Sequence, residues 1–147
     1  MSHLLKFRVA SQSESAAKTA IQVRGFKFFV DEPQALGGTN LAPNPVEYIL
    51  AGYAGCINVV AHIVAKELGI SLKDLSINIQ GDINPERLFG RSFSHRAGYQ
   101  SIEVNIKTST IISNTLKVKW LKSIESRCPV NDNLSNVTPI NFQFSNN

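Results

Sequence analysis

An α+β fold is predicted for this chain of 147 residues. Three observations predict it. Segments that alternate with period two and segments with helical periodicity follow in the order strands, helix, strands, helix, strand. The strand-like segments come in hairpin-like groups rather than singly between helices, which argues against a doubly wound parallel sheet. No repeat, low-complexity tract or linker interrupts the order, so a single domain over residues 1–147 is expected.

The first third reads as strands. His3 to Ala10 alternates loosely through Leu5, Phe7 and Val9, and a small, polar turn follows over Ser11 to Ala16. Lys18 to Arg24 and Phe26 to Asp31 are the next strands, with Gly25 marking a bulge or turn between them. Asp31 to Pro43 is a loop, because it holds two prolines and the Gly37-Gly38 pair. A long helix begins at Asn44-Pro45-Val46-Glu47. Asn is a strong N-cap, Pro is favoured at the first helical position, and Glu at the third can reach back to the cap amide. The helix should reach about Leu68 and stop at Gly69.

Leu75 to Gly81 alternates and reads as a strand. A polar stretch from Asp82 to Tyr99 follows, with a hairpin tip near Gly90 or Gly98. Gln100 to Thr110 is the returning strand, with Ile102, Val104 and Ile106 on one face. Ser113 or Asn114 should cap a second helix whose apolar stripe is Leu116, Trp120, Leu121 and Ile124. That helix ends at Arg127-Cys128-Pro129, since Pro cannot continue a helix. Val137 to Phe144 reads as a last short strand.

Composition narrows the function. Hydrophobic residues are 43% and charged residues 18%, ordinary for a globular chain with a packed core. The net charge is a mild +4, and the basic residues are scattered, so no nucleic-acid partner is expected. The N-terminus lacks a secretory pattern, which favours the cytoplasm, where two cysteines tend to be reduced or redox-active. Tyr48 to Ala65 is apolar or small except for Asn58 and His62, close to the lower limit for a membrane span. Those two polar residues, the Ala and Gly content and the want of a second span argue against a membrane. An apolar helix of this kind is buried on all sides. A short chain has trouble covering it alone, so a partner subunit is expected.

Few residues can carry chemistry. Cys56 lies mid-helix, where a small buried hydrophobe is the plain reading and no helix N-terminus is near to favour a thiolate. Cys128 lies at a helix C-terminus, where the dipole opposes a thiolate and the neighbouring Arg127 favours one. The two cysteines and the dispersed His3, His62 and His95 lack metal-ligand spacing, so no metal site is expected. Glu47 precedes Cys56 by nine residues, which on a regular helix turns it about 180° away and favours its capping role. His62 also points to another face and reads as a satisfied core histidine. Tyr53 shares the face of Cys56, either to line a pocket there or to pack. Arg24 interrupts an otherwise apolar and neutral strand. A solvated arginine is the plain reading, and one beside a cysteine would stabilise a thiolate.

Read in order, DEPQALGGTNLAPNPVEYILAGYAGC, AKELGISLKDLSINIQGDI, GYQSIEVNI and the helix ending in RCPV resemble the OsmC/Ohr superfamily across most of the chain. The resemblance implies antiparallel sheets wrapped around long central helices in an intertwined homodimer. It also implies a thiol peroxidase that acts on organic hydroperoxides without a cofactor. In that scheme Cys56 becomes a sulfenic acid, Cys128 condenses with it to a disulfide, and a small dithiol restores both. Glu47 and Arg24 are the candidates for the charged pair that supports the cysteine. Ohr-like members place the Glu directly after Asn-Pro, where this chain has Val46. Another branch, less well defined in function, carries it where Glu47 stands. That departure motivates a second expectation of a different class: a non-catalytic dimer that binds a small apolar ligand in an interface pocket.

Overall fold

A computed structural model describes residues 3–146. They form two compact units, one ending at Ala51 and the other beginning at Gly52.

The first unit carries an antiparallel sheet in the order β1 (Ala10–Ser13), β2 (Thr19–Val23), β3 (Phe26–Val30). The β1–β2 turn is held by Ser15, whose Oγ accepts from the Ala17 and Lys18 amides at 3.2 and 2.9 Å. Strands β2 and β3 are joined by a two-residue turn at Arg24-Gly25, because Val23 pairs directly with Phe26. The expected strand over His3 to Ala10 is corrected: residues 3–9 have no regular structure, and Leu4, Leu5, Phe7 and Val9 are exposed. Alternation alone does not make a strand. A ladder partner is also needed, and no strand among the described residues pairs with this segment.

The loop after β3 is organised by Asp31, which has no exposed surface. Its carboxylate accepts from the amides of Glu32 (2.8 Å), Thr39 (3.1 Å) and Leu41 (3.0 Å) and from the Thr39 hydroxyl (2.6 Å). A 3₁₀ turn over Gln34–Leu36 ends at Gly37, whose φ of 83° is left-handed. Gly38 has no room for a Cβ, which would fall on the Glu32 carbonyl. The Gly-Gly pair thus serves two needs, a left-handed turn and a close backbone approach.

Helix α1 (Pro45–Glu67) begins with the reciprocal cap the sequence predicts. The Asn44 amide donates to Glu47 Oε2 at 2.8 Å, and the Glu47 amide donates to Asn44 Oδ1 at 2.9 Å. Its C-terminus closes at Gly69, φ 70°. The Gly69 amide donates to the Lys66 carbonyl and the Ile70 amide to that of Ala65, the paired bonds of a Schellman end.

The second unit holds the core. Tyr53, Ile57, Val60, Ala61, Val64 and Ala65 form the buried stripe of α1. Against it lie the hairpin β4 (Ser76–Ile83) and β5 (Tyr99–Lys107) and helix α2 (Asn114–Arg127). Ile77 and Ile79 of β4 and Ile102 and Ile106 of β5 give the predicted alternation, and a bulge falls at Asp82/Ile83. Ser113 caps α2, and Trp120 and Ile124 of its stripe are buried. The Trp120 indole N–H donates to the Ala61 carbonyl at 2.9 Å, so burying this polar edge leaves no donor unmet.

The second helix ends at Arg127 with Cys128 as its C-cap, as expected. The further helix that starts there at once, α3 (Pro129–Ser135), is not expected from the sequence. Pro129 occupies its first position, where a missing N–H costs nothing. Val137 to Phe144 is not a strand: it is irregular, and Val137, Ile140, Phe142 and Phe144 are exposed, again with no ladder partner among the described residues.

Candidate functional site

The second unit brings Cys56 and Cys128 together, with their Sγ atoms 3.0 Å apart. That is about one ångström longer than a disulfide bond. Both are free thiols. Cys56 sits mid-α1 and is half-buried, whereas Cys128 is 1% exposed. The Cys128 S–H donates to the Cys56 sulfur.

Cys128 ends one helix and begins another. Its amide donates to the Ile124 carbonyl, closing α2, and its Sγ accepts from the Asn131 amide at 3.4 Å, capping α3. Its position is therefore not simply the unfavourable C-terminus expected from the sequence. Burial pushes the Cys128 thiol up, the bond to Cys56 adds to this, and the Asn131 amide opposes it. Arg127 does not serve the cysteine as expected. Its guanidinium forms a two-pronged pair with the Glu67 carboxylate, which lowers the Glu67 pKa.

Tyr53 is buried, and its hydroxyl donates to Asn131 Oδ1 at 2.6 Å. Burial raises its pKa, and the nearby Cys128, Glu125 and Cys56 charges add to the rise. Asn131 Nδ2 donates in turn to the Glu125 carbonyl at 2.9 Å. A cleft of about 440 Å³ opens beside this group. Ile57, Val104, Ile106 and Ile124 give it an apolar wall, and Tyr53, Cys128 and Asn131 supply polar atoms.

The remaining candidates have local partners. Glu47 uses its carboxylate in the α1 cap. Arg24 is corrected from a strand position to the turn: its φ is 55°, and its guanidinium lies over the Phe26 ring at 5.1 Å. His62 is corrected from core to surface. It is exposed, with Nδ1 2.8 Å from the Asn58 carbonyl of its own helix. Among the described residues no three of His, Cys, Asp and Glu gather as metal ligands do.

Sequence reasoning missed Asn131. The available signal was Pro129 at a first helical position, which makes Cys128 the cap and Asn131 the residue whose amide faces it.

Three solved structures illustrate the similarity of fold. An OsmC-like protein from Mycoplasma pneumoniae superposes with a TM-score of 0.78 at 19% identity, covering 90% of this chain and 89% of that one. An organic hydroperoxide resistance protein OsmC from Legionella pneumophila gives 0.66 at 18%, covering 89% and 90%. The organic hydroperoxide resistance protein OhrB of Bacillus subtilis gives 0.58 at 21%, covering 88% and 90%. No curated protein matches the chain. The family model described as OsmC-like protein matches residues 38–143, most of the chain and both cysteines. The chain belongs to the OsmC family.

Proposed function

We propose that the protein is a cysteine-based peroxidase that reduces organic hydroperoxides. The observation that carries this reading is the pair of free sulfurs 3.0 Å apart, one half-buried and one enclosed. Several structural neighbours are organic hydroperoxide resistance proteins, which supports the same class of substrate.

In the proposed cycle the Cys56 thiolate attacks the outer peroxide oxygen. The O–O bond breaks, an alcohol leaves with one added proton, and Cys56 becomes a sulfenic acid. The Cys128 sulfur then attacks the Cys56 sulfur, the S–O bond breaks, and hydroxide leaves as water with the Cys128 proton. A small dithiol supplies the two electrons that restore both thiols, becoming a disulfide itself. No metal or organic cofactor enters the cycle. The family resemblance implies an Arg–Glu pair that supports the cysteine, and Arg24 and Glu47 enter the proposal only as candidates for it, since no motif aligns Arg24 with the family's arginine. An Arg24→Gln variant that oxidises at the parent rate removes Arg24 from it.

The working unit is proposed to be a homodimer in the cytoplasm. Val59 and Ile63 of α1 are 56% and 45% exposed, apolar surface that a second copy would cover. Cysteines that begin their cycle reduced suit that compartment.

Thiol counts before and after one equivalent of cumene hydroperoxide test the cycle. Two thiols per chain should disappear and return with a dithiol. Cys56→Ser should abolish turnover, and Cys128→Ser should stop after one oxidation. Two thiols still free after long exposure would sink the proposal.

The cleft beside Cys128 favours a second reading, a dimeric protein that binds a small apolar ligand without chemistry. That reading expects a ligand-dependent rise in melting temperature and no peroxide consumption.

A further inference from the structure

Asn131 holds three points of the site at once. Its amide donates to Cys128 Sγ at 3.4 Å, its Oδ1 accepts the Tyr53 hydroxyl at 2.6 Å, and its Nδ2 donates to the Glu125 carbonyl at 2.9 Å. Tyr53 lies three residues before Cys56 on the same helix, so its ring rises from nearly the same face. The hydrogen bonds therefore close a ring. It runs from Cys56 along α1 to Tyr53, across to Asn131, back to Cys128, and over the 3.0 Å gap to Cys56.

We infer that Asn131, latched by Tyr53, is a positioning residue that sets the Cys128 sulfur for bond formation with Cys56. The inference rests on the proposed peroxidase cycle for its purpose and on the geometry for its existence. Cys128 stands at the junction of α2 and α3, where its backbone is extended. Trp120 and Arg127 tie α2 to α1 ahead of the junction. The Tyr53–Asn131 bond adds a tie just after it, from the helix that carries the other sulfur. Closing the disulfide needs a displacement of about one ångström. A step between two held groups gains most of its rate from such pre-set geometry.

The bond itself needs no oxidant beyond the one already bound as oxygen on Cys56. Cys128 sulfur donates an electron pair to Cys56 sulfur, the S–O pair leaves with oxygen, and the Cys128 proton completes water. Asn131 and Tyr53 are unchanged in it.

Two measurements separate the latch from the cycle. The first sets the parent, Tyr53→Phe and Asn131→Ala against an oxidised–reduced glutathione buffer. Oxidised glutathione takes the two electrons and becomes two reduced molecules as the disulfide forms. The effective concentration of Cys128 toward Cys56 is read from the equilibrium. It should fall about fivefold to tenfold in Tyr53→Phe, the loss expected for one hydrogen bond, and at least as far in Asn131→Ala, which also loses the bond to the Glu125 carbonyl. The double variant should fall no further than the worse single, because the two residues make one bond. This measurement needs no peroxidase activity. The second uses rapid mixing with cumene hydroperoxide. Disulfide closure should slow by a similar factor in both variants, and by more than any change in the rate of sulfenic acid formation.

A general loss of structure would slow both steps and lower the melting temperature, so the glutathione equilibrium is compared only between variants that melt as the parent does. Tyr53→Phe removes only one oxygen and keeps the ring in place. If the glutathione equilibrium is unchanged in both folded variants, the inference is overturned. If it shifts while the parent consumes no peroxide, the latch stands and the peroxidase proposal falls.

Discussion

Asp31 shows how much one side chain can organise. Four donors converge on its carboxylate, and they hold its pKa at about 2 rather than 3.8. The Thr39 hydroxyl contributes most to that lowering. A folded pKa below the unfolded one means that the charged form supports folding. Its contribution is fully present above the ordinary value of 3.8 and is lost as pH falls toward about 2. Asp31→Asn should lower the melting temperature at neutral pH and flatten its fall across that acid window, checked by thermal melts from pH 2 to 7. Gly38→Ala should also destabilise, because its Cβ would displace the Glu32 carbonyl. Retention of the parent melting temperature would contradict that packing. The loop was legible in the sequence from its prolines and glycines. Its centre was not, because an acidic residue at a strand end looks the same whether it faces water or four N–H and O–H groups.

At the scale of elements, the signals that survived were those written in adjacent residues. The Asn44–Glu47 cap and the Gly69 stop depend on contacts within one helical turn, and both are present as predicted. Asn44→Ala should cost about 1 kcal/mol, read from denaturant unfolding. Ile57, 3% exposed on the opposite stretch of the same helix, should cost more as Ile57→Ala, about 2–5 kcal/mol, because a cavity is left in the core. The signals that failed depended on distant partners. The apolar alternation of residues 3–9 and 137–144 is real, but pairing is decided by what lies beside a strand. Arg24 carries no mark that distinguishes a strand interior from a left-handed turn position, beyond the glycine after it. Helix α3 was hidden because cysteine is an unusual cap and proline was read as a stop rather than a start.

For the whole molecule, the family and the fold class were legible because motif order and helix–strand alternation are one-dimensional properties. The meeting of Cys56 and Cys128 was expected only through the family resemblance, since it depends on how α2 packs against α1 through Trp120 and Ile124. Helix α1 is long and apolar enough by composition to cross a membrane, yet a third of its most apolar window is buried within this one chain. If a second copy covers the remaining apolar face, Val59→Asp should shift the protein from dimer to monomer in sedimentation. A parent chain that sediments as a monomer would refute this arrangement.

One atom is shared by two structures of different kinds. The Cys128 sulfur receives the Asn131 amide that starts α3, and it is also the atom that would bond to Cys56. A sulfur drawn into a disulfide has lost its proton and lies nearer Cys56 than the free thiol does. The oxidation state of the pair is thereby written into the first turn of a neighbouring helix. Labelled with nitrogen-15, the Asn131 amide becomes a resident reporter whose resonance and solvent-exchange rate follow the electrons without any added dye.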